Sequence, residues 1–346
     1  MVTIKEIAKA VGVSSATVSR VLNFDATLSV TEQKRQAIIE TAEAMNYATP
    51  RNRARAAQQS AVANKIALVH FLRPHQELVD PYYVGLRLGI ESRCHALQME
   101  AVKVYHTDSM PEASLLQSAS GVIAIGSHSA AEYGWLKRHS KHLVFADYIP
   151  PDDEFDSVES DLPLAMRKLL GALTEIGYRR IGFIGWIEGS TYGEKRCRSY
   201  IEWMNQHSQF DPHLCITGQV SDDNGDRKME QAGHRLAKTL MSQSNPPEAF
   251  ITCNDNMAVG AYRAMAELGL RIPEDVAIAS FNDISVAQFL NPPLSTTRLP
   301  SEEIGEAAVD LLVERIAGRE LAKRITLATE IKWRSSTRRP QAAQKA

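Results

Sequence analysis

Residues 3–23 read TIKEIAKAVGVSSATVSRVLN, and their spacing predicts two short helices joined by a tight turn. Thr3 and Glu6 have the spacing of a capping box, in which the hydroxyl accepts an orphan N–H and the carboxylate reaches back to the threonine amide. Ile4, Ile7 and Ala8 recur at helical intervals and bury one stripe. Gly12 supplies the bend between the helices, where a side chain would strain the backbone. Ser14 is a good N-cap for the second helix. In that helix Val18, Val21 and Leu22 face inward, and Ser15, Ala16, Thr17, Ser19 and Arg20 lie on or near the other side. A face of short hydroxyls, one methyl and one arginine suits a helix that enters a DNA major groove about 12 Å wide. The pattern is that of a helix-turn-helix, with residues 14–23 as the reading helix. The competing reading is a generic amphipathic hairpin.

Thr31 can cap a third helix reaching about Asn46, with Ile38, Ile39, Ala42 and Met45 inward, which completes a headpiece over residues 1–48. Residues 49–60, TPRNRARAAQQS, open with an N-cap threonine and a proline at the first helical position. No apolar face follows, and so short a helix is marginal in water by itself. Two readings stand equal for residues 49–61: a hinge helix that orders when phosphates face Arg51, Arg53 and Arg55, or a basic linker.

Charge is unevenly placed. Residues 1–60 hold eight Lys/Arg against five Asp/Glu, and the rest of the chain holds 31 against 36, for a net charge of −2. A basic end on an acidic body fits phosphate contact at that end and argues against a wholly nucleic-acid-coating protein. At 346 residues, 44% hydrophobic and 23% charged, the chain has room for two or three globular domains. Cys94, Cys197, Cys215 and Cys253 form no CxxC pair, which argues against zinc or a disulfide framework and for a reducing compartment. No run approaches the length needed to span a bilayer, and the N-terminus lacks a signal-peptide core, so a cytoplasmic protein with no membrane partner is expected.

From Lys65 apolar runs alternate with helical patterns. Strands are expected at 66–71, 102–105, 121–125 and 143–147, with helices at 82–97 and 130–139. A second series has helices at 162–176, 192–207, 227–243 and 257–268, and strands at 180–185, 215–218, 249–253 and 276–281. Such alternation means parallel sheets covered on both faces, here two doubly wound α/β subdomains. Ligands in such folds sit beyond the carboxyl ends of the strands. Asp147, residues 186–196, Asn254-Asp255 and Asn282-Asp283 stand there, all hydrogen-bonding groups rather than nucleophiles. Tyr82 and Tyr83 open the first core helix after Pro81 and can stack on a ligand or simply pack.

An enzyme needs activated groups, and none is evident. The segment GSTYG at 189–193 has threonine where a nucleophile elbow has serine, Asp147 has no obvious partner, and His139 and His142 lack a third metal ligand. No catalytic residue, metal or cofactor is therefore expected. A transport-binding protein of the same core architecture would need a signal peptide and no headpiece.

The chain resembles the lactose-repressor/galactose-repressor family of bacterial transcription regulators. The resemblance is carried by residues 3–23, by DPYYVGLRLGIE at 80–91 and by YRRIGFIG at 178–185. It continues in CNDNMAVGAYRAMAELGLRIPEDVAIASFNDI at 253–284 and PPLSTTRLP at 292–300. It covers essentially residues 3–338, and the first and fourth motifs are highly specific. It implies a homodimer that represses a sugar operon by binding double-stranded operator DNA, with a sugar effector held in a core of periplasmic-binding-protein architecture. Within the family, DPYY and PPLSTTR lean toward members that respond to a galactoside; a purine or phosphate ester is the alternative effector. By resemblance, Ser15 and Ala16 choose bases, and Thr17, Ser19, Arg20 and Asn23 match the shared DNA-contacting set. Thr3, Ser14 and the minor-groove hinge residues Arg51, Asn52, Arg53, Arg55, Ala56 and Ala57 complete the expected DNA contacts. Effector contacts carry onto Asp147, Arg196, Asn254 and Asn282, beside Tyr82 and Tyr83.

The sequence departs from the family pattern in four places, one of them Lys228, which stands at the family's aromatic lid position before Gly233. Ala56 or Ala57 stands where many members have a leucine wedged between base steps, and an alanine wedge is short for kinking DNA. Asn282 replaces a frequent aspartate. The polar tail 341–346 lacks a leucine heptad, leaving a dimer as the expectation. The expected core spans residues 62–340, with an N-terminal subdomain of about 62–160 plus 293–323 and a C-terminal one of about 161–292 plus 324–340.

Overall fold

The computed structural model describes residues 3–22, 25, 28–45, 47, 65–105, 112–186, 191–221 and 228–337. The chain divides into two compact units, Met1–Asn64 and Lys65–Ala346.

In the first unit, helices α1 (Ile4–Val11), α2 (Ser15–Leu22) and α3 (Glu32–Ala44) enclose Ile7, Ala8, Val18, Val21, Ile38 and Ala42. Each helix contributes one fully buried branched side chain, Ile7, Val18 and Ile38. The Glu6 carboxylate accepts from the Thr3 amide at 2.7 Å and from the Thr3 hydroxyl at 3.0 Å. Gly12 ends α1 in the left-handed region at φ 70°, where a Cβ would be strained. The Thr17 amide donates to Ser14 Oγ at 3.1 Å, the expected cap of α2.

The second unit follows in chain order as β1 (Lys65–His70), α4 (Pro74–Leu78), α5 (Pro81–Ala96), β2 (Glu100–Tyr105), α6 (Ala113–Gln117), β3 (Gly121–Ile125), α7 (Ala130–His139), β4 (Leu143–Ala146) and β5 (Asp156–Ser160). Next come α8 (Leu162–Ile176), β6 (Ile181–Gly185), α9 (Thr191–Gln206), β7 (Cys215–Thr217), α10 (Met229–Met241), β8 (Ala249–Thr252), α11 (Asp255–Leu268) and β9 (Ala277–Asn282). The unit closes with β10 (Ser295–Arg298), α12 (Ser301–Ile316), β11 (Arg324–Leu327) and β12 (Glu330–Lys332). Two six-stranded sheets result, ordered β11-β5-β4-β3-β1-β2 and β12-β10-β9-β8-β6-β7. The neighbours pair in parallel except for β10 with β12, which are antiparallel. β1, β3, β4 and β8 are almost wholly buried runs, as strands covered on both faces should be.

The expected division of the two subdomains needs correction at its C-terminal end. Residues 293–323 do not all belong to the first lobe, because β10 pairs with β9 in the second sheet. Thr296 fixes it there, donating to the buried Asp255 carboxylate at 2.7 Å. Residues 324–340 do not all belong to the second lobe, because β11 pairs with β5 in the first sheet. Asp156 is the reason. Fully buried on β5, it takes Arg315 of α12 and Arg319 just beyond that helix, each at 2.8 Å, and the Lys323 amide at 2.6 Å, which docks α12 and β11 on the first lobe. The chain therefore crosses between lobes near residues 161, 299 and 328.

Each lobe carries a pair of helices whose backbones meet at glycines. On α5 and α12, a Cβ at Gly89 would run into the Glu302 carbonyl and one at Gly305 into the Leu86 carbonyl. On α10 and α11, Gly233 and Gly260 meet the Met257 and Glu230 carbonyls in the same way.

Candidate functional site

The residues expected to touch DNA lie in the first unit. Ser15, Ala16 and Arg20 are exposed on α2 and Ser14 at its N-cap, Thr17 and Ser19 are half-buried beside them, and Thr3 is exposed at the N-cap of α1. Ser14 Oγ and Thr17 Oγ1 are 2.8 Å apart. Arg20 Nε donates to Asp25 Oδ2 at 2.7 Å, and the Asp25 amide donates to the Arg20 carbonyl at 3.0 Å. Asp25 had no place in the sequence reading, since residue types alone do not say that the chain folds back after α2. Asn23 and the hinge set Arg51, Asn52, Arg53, Arg55, Ala56 and Ala57 lie outside the described residues.

The residues expected to hold an effector lie in the second unit, at the carboxyl ends of strands from both sheets. Asp147 follows β4 with φ 63°, and Asn282 and Asp283 end β9 with φ 112° and 58°. Asn and Asp enter this region more readily than most residues, yet three at two strand ends is stored backbone strain. Asp147 is 3% exposed and accepts from the Tyr82 hydroxyl at 2.7 Å. Tyr83 also hydrogen-bonds it and packs edge-on against Tyr82 with ring centroids 5.1 Å apart. Burial pushes the Asp147 carboxyl up to about 6, against the pull of the Tyr82 hydrogen bond and the Arg196 charge. The Tyr82 phenol is raised well above its ordinary value, first by burial and then by Asp147.

Arg196, on α9 of the second lobe, is 4% exposed and lies 5.4 Å from the centroid of the Phe281 ring. Its Nε and the Asn282 Oδ1 are buried without a hydrogen-bond partner among the described residues. A buried donor and a buried acceptor left unmatched are expensive unless a ligand or water completes them. Asn282 and Tyr82 line one recess of about 400 Å³ together with Leu78, Pro81, Leu88 and Asp283. A second recess of about 300 Å³ draws Leu72, Gln76 and Asp80 from one lobe and Lys228, Glu230 and Asn256 from the other.

The structure thus gathers Tyr82, Tyr83, Asp147 and Arg196, with Asn282 alongside. Asn254 is used differently: it is buried at the start of α11, where its Oδ1 accepts from the Met257 amide at 2.9 Å as the helix cap. Phe281, the shelf under Arg196, was missed because an aromatic residue inside an apolar strand reads as core. Asp255, which the sequence places beside Asn254 at a strand end, has a structural use. It is fully buried, accepts from Thr296 and from the Ile284 amide at 2.9 Å, and burial raises its carboxyl to about 7. Among the described residues no group of three or more His, Cys, Asp or Glu could hold a metal ion. No helix among them is long and apolar enough to cross a membrane.

Residues 3–50 match the model of bacterial regulatory proteins, lacI family, and residues 170–337 match a periplasmic binding protein-like domain. The HTH-type transcriptional regulator GalR of Lacticaseibacillus casei is 35% identical over 97% of this chain and 100% of its own length. The HTH-type transcriptional repressor MelR of Bacillus subtilis (strain 168) is 35% identical over 97% of each chain. Among solved structures, a transcriptional regulator CelR–cellobiose complex is similar in fold, with a TM-score of 0.69 at 24% identity over 97% of this chain and 100% of that one. A helix-turn-helix with its reading face exposed, a two-lobed α/β core and end-to-end similarity to such relatives lead to one conclusion: the chain belongs to the lacI family of bacterial regulatory proteins and is a DNA-binding transcriptional regulator.

Proposed function

We propose that this regulator represses a sugar-utilisation operon, and that a sugar held between the core lobes controls its affinity for operator DNA. The observation that carries the reading is that Asp147 and Tyr82 on one lobe and Arg196 on the other are all buried, with the Arg196 charge acting on both of the others. A carboxylate, a guanidinium and an amide converging between two lobes suit the paired donors and acceptors of sugar hydroxyls. Contacts from both lobes favour one lobe arrangement, and a ligand shifts an equilibrium only through such differential affinity. The opposite charges of Asp147 and Arg196 sum to zero, which favours a neutral polyol over a phosphate ester that would meet the Asp147 carboxylate. The names of relatives such as GalR and MelR, and the cellobiose bound to CelR, agree with a sugar. A galactoside is the finer proposal, resting on the DPYY and PPLSTTR segments. A protein that works on operator DNA works in the cytoplasm, and nothing in the site asks for catalysis.

The operator is proposed to be read by Ser15, Ala16, Thr17, Ser19, Arg20 and Asn23, with the 49–61 hinge adding phosphate and minor-groove contacts. The test is titration of a fluorescent operator fragment by the full-length protein with galactose, lactose, cellobiose or maltose present. One of these should weaken operator binding by about 5–150-fold, the usual range of such couplings. Arg196→Ala should lose that response while keeping operator affinity within a few-fold. A response to a purine or phosphate ester alone would refute the ligand class, and an undiminished sugar response in Arg196→Ala would refute the site.

A further inference from the structure

We propose that Lys195 and Glu159 form an ion pair between the lobes that positions the effector site, so that sugar affinity depends on it although neither residue need touch the sugar. The inference rests on the sugar-effector reading above. Glu159 is the fourth residue of β5 in the first lobe, and Lys195 lies on α9 in the second. Lys195 Nζ stands 2.5 Å from Glu159 Oε2, with the side chains 21% and 10% exposed. The bond therefore crosses from one sheet system to the other in a partly desolvated setting, where an ion pair is screened less than at the open surface.

Its neighbours in sequence tie it to the site on both sides. Lys195 immediately precedes Arg196. Glu159 immediately follows Val158, whose carbonyl accepts from the Asp147 amide at 2.8 Å. The Glu159 charge also acts on the Asp147 carboxyl, helping to raise it. Holding Glu159 against Lys195 thus holds the two walls that carry Asp147 and Arg196 in register. A buried carboxylate on a strand end, matched across a lobe boundary, gives little to β5 itself: it joins two elements that share no strand pairing. Lys195 and Glu159 are positioning residues in this sense, and their contribution is preorganisation of the sugar's contacts.

The test uses the full-length protein, Glu159→Gln, Lys195→Met and the charge-swapped double variant Glu159→Lys/Lys195→Glu, with two readouts. The first is calorimetry with galactose, lactose, cellobiose and maltose at low and high salt. A neutral sugar brings no charge, so salt-sensitive affinity must come from the protein's own ion pairs. Each single variant should bind about 5–20-fold more weakly and lose much of the salt dependence, and the swap should recover both, the range being that of interlocked neighbours in a shared network. The second is hydrogen exchange of residues 143–160 and 191–206 without sugar. Both segments should exchange faster in each single variant and recover in the swap. Sugar affinity unchanged in the single variants, or lowered equally in the swap, overturns the proposal even where exchange changes. If none of the four sugars binds the unaltered protein, the sugar reading falls, and exchange alone then decides whether the pair positions the two walls: unchanged exchange in either single variant overturns it.

Discussion

Asp147 answers two opposing demands. It must be buried to face a ligand between lobes, and burial penalises its charge, raising the carboxyl to about 6. The consequence for stability has a definite sign. A carboxyl whose folded pKa exceeds its unfolded value near 3.9 leaves the folded state undisturbed below that value. Destabilisation sets in as pH rises from there and is complete above about 6. Asp147→Asn keeps an acceptor for the Tyr82 hydroxyl and removes the charge. It should therefore raise core stability on the order of 1–3 kcal/mol at pH 7, with little change at pH 4, while abolishing the sugar response. Urea denaturation at the two pH values measures the first effect and operator titration with sugar the second. Equal stabilisation at both pH values would mean the buried charge is not the cause. Asn254 shows the converse: its contribution is the backbone cap of α11, which Ala would weaken by about 1 kcal/mol.

The α5–α12 and α10–α11 pairs are the elements on which each lobe is built, and their closeness depends on residues without side chains. Gly89→Ala would drive a methyl into the Glu302 backbone, which cannot rotate aside as a side chain can. The helices must part, and the loss should be about 1–3 kcal/mol or more in chemical denaturation. Gly134→Ala is the control. It also sits inside a helix, α7, but its added methyl would meet only the Arg138 side chain at 3.6 Å, so the helix should gain up to about 1 kcal/mol. Destabilisation by both substitutions to the same extent would make the effect generic rather than one of helix approach.

For the whole molecule, dimerisation would couple two headpieces to two half-sites, and the core offers a surface for it. Leu78, Val79 and Leu88 are exposed at 73%, 67% and 47% on and beside α4 and α5, and Val286 and Phe289 at 37% and 78% in the 3-10 turn Ser285–Phe289. Leu78 and Leu88 line a recess whose other wall runs from Asn282 to Ser285, the start of the turn that carries Val286 and Phe289. Exposed apolar side chains gathered on neighbouring elements often mark a protein–protein contact. Leu78→Asp with Phe289→Asp should convert a sedimenting dimer to monomer and weaken operator binding at least tenfold, because each half-site would then be bound alone. A dimer that persists in the double variant would place the interface elsewhere.

Much of this architecture is legible in the sequence. The first helices follow from the periodicity of Ile4, Ile7, Ala8, Val18 and Val21, from the Thr3, Ser14 and Gly12 caps, and from nothing more distant. The alternating strands and helices of the core, and the placing of Asp147 and Asn282 at strand ends, were equally open to reading, because pattern and punctuation act over a few residues. Strand β5 was not anticipated: DSVES mixes charged, hydroxyl and apolar residues, and its burial comes from α12 and β11, which lie about 150 residues further on. The lobe that receives β10 or β11 was likewise decided by Asp255 and Asp156, two buried carboxylates whose partners are far away in the chain. So was the Phe281 shelf beneath Arg196, and so was the meeting of Glu159 with Lys195. Local order is set by short-range sterics, capping and hydrophobic period, which a linear string displays. Partner choice for a buried charge is set by desolvation, and only the folded chain shows which distant group relieves it.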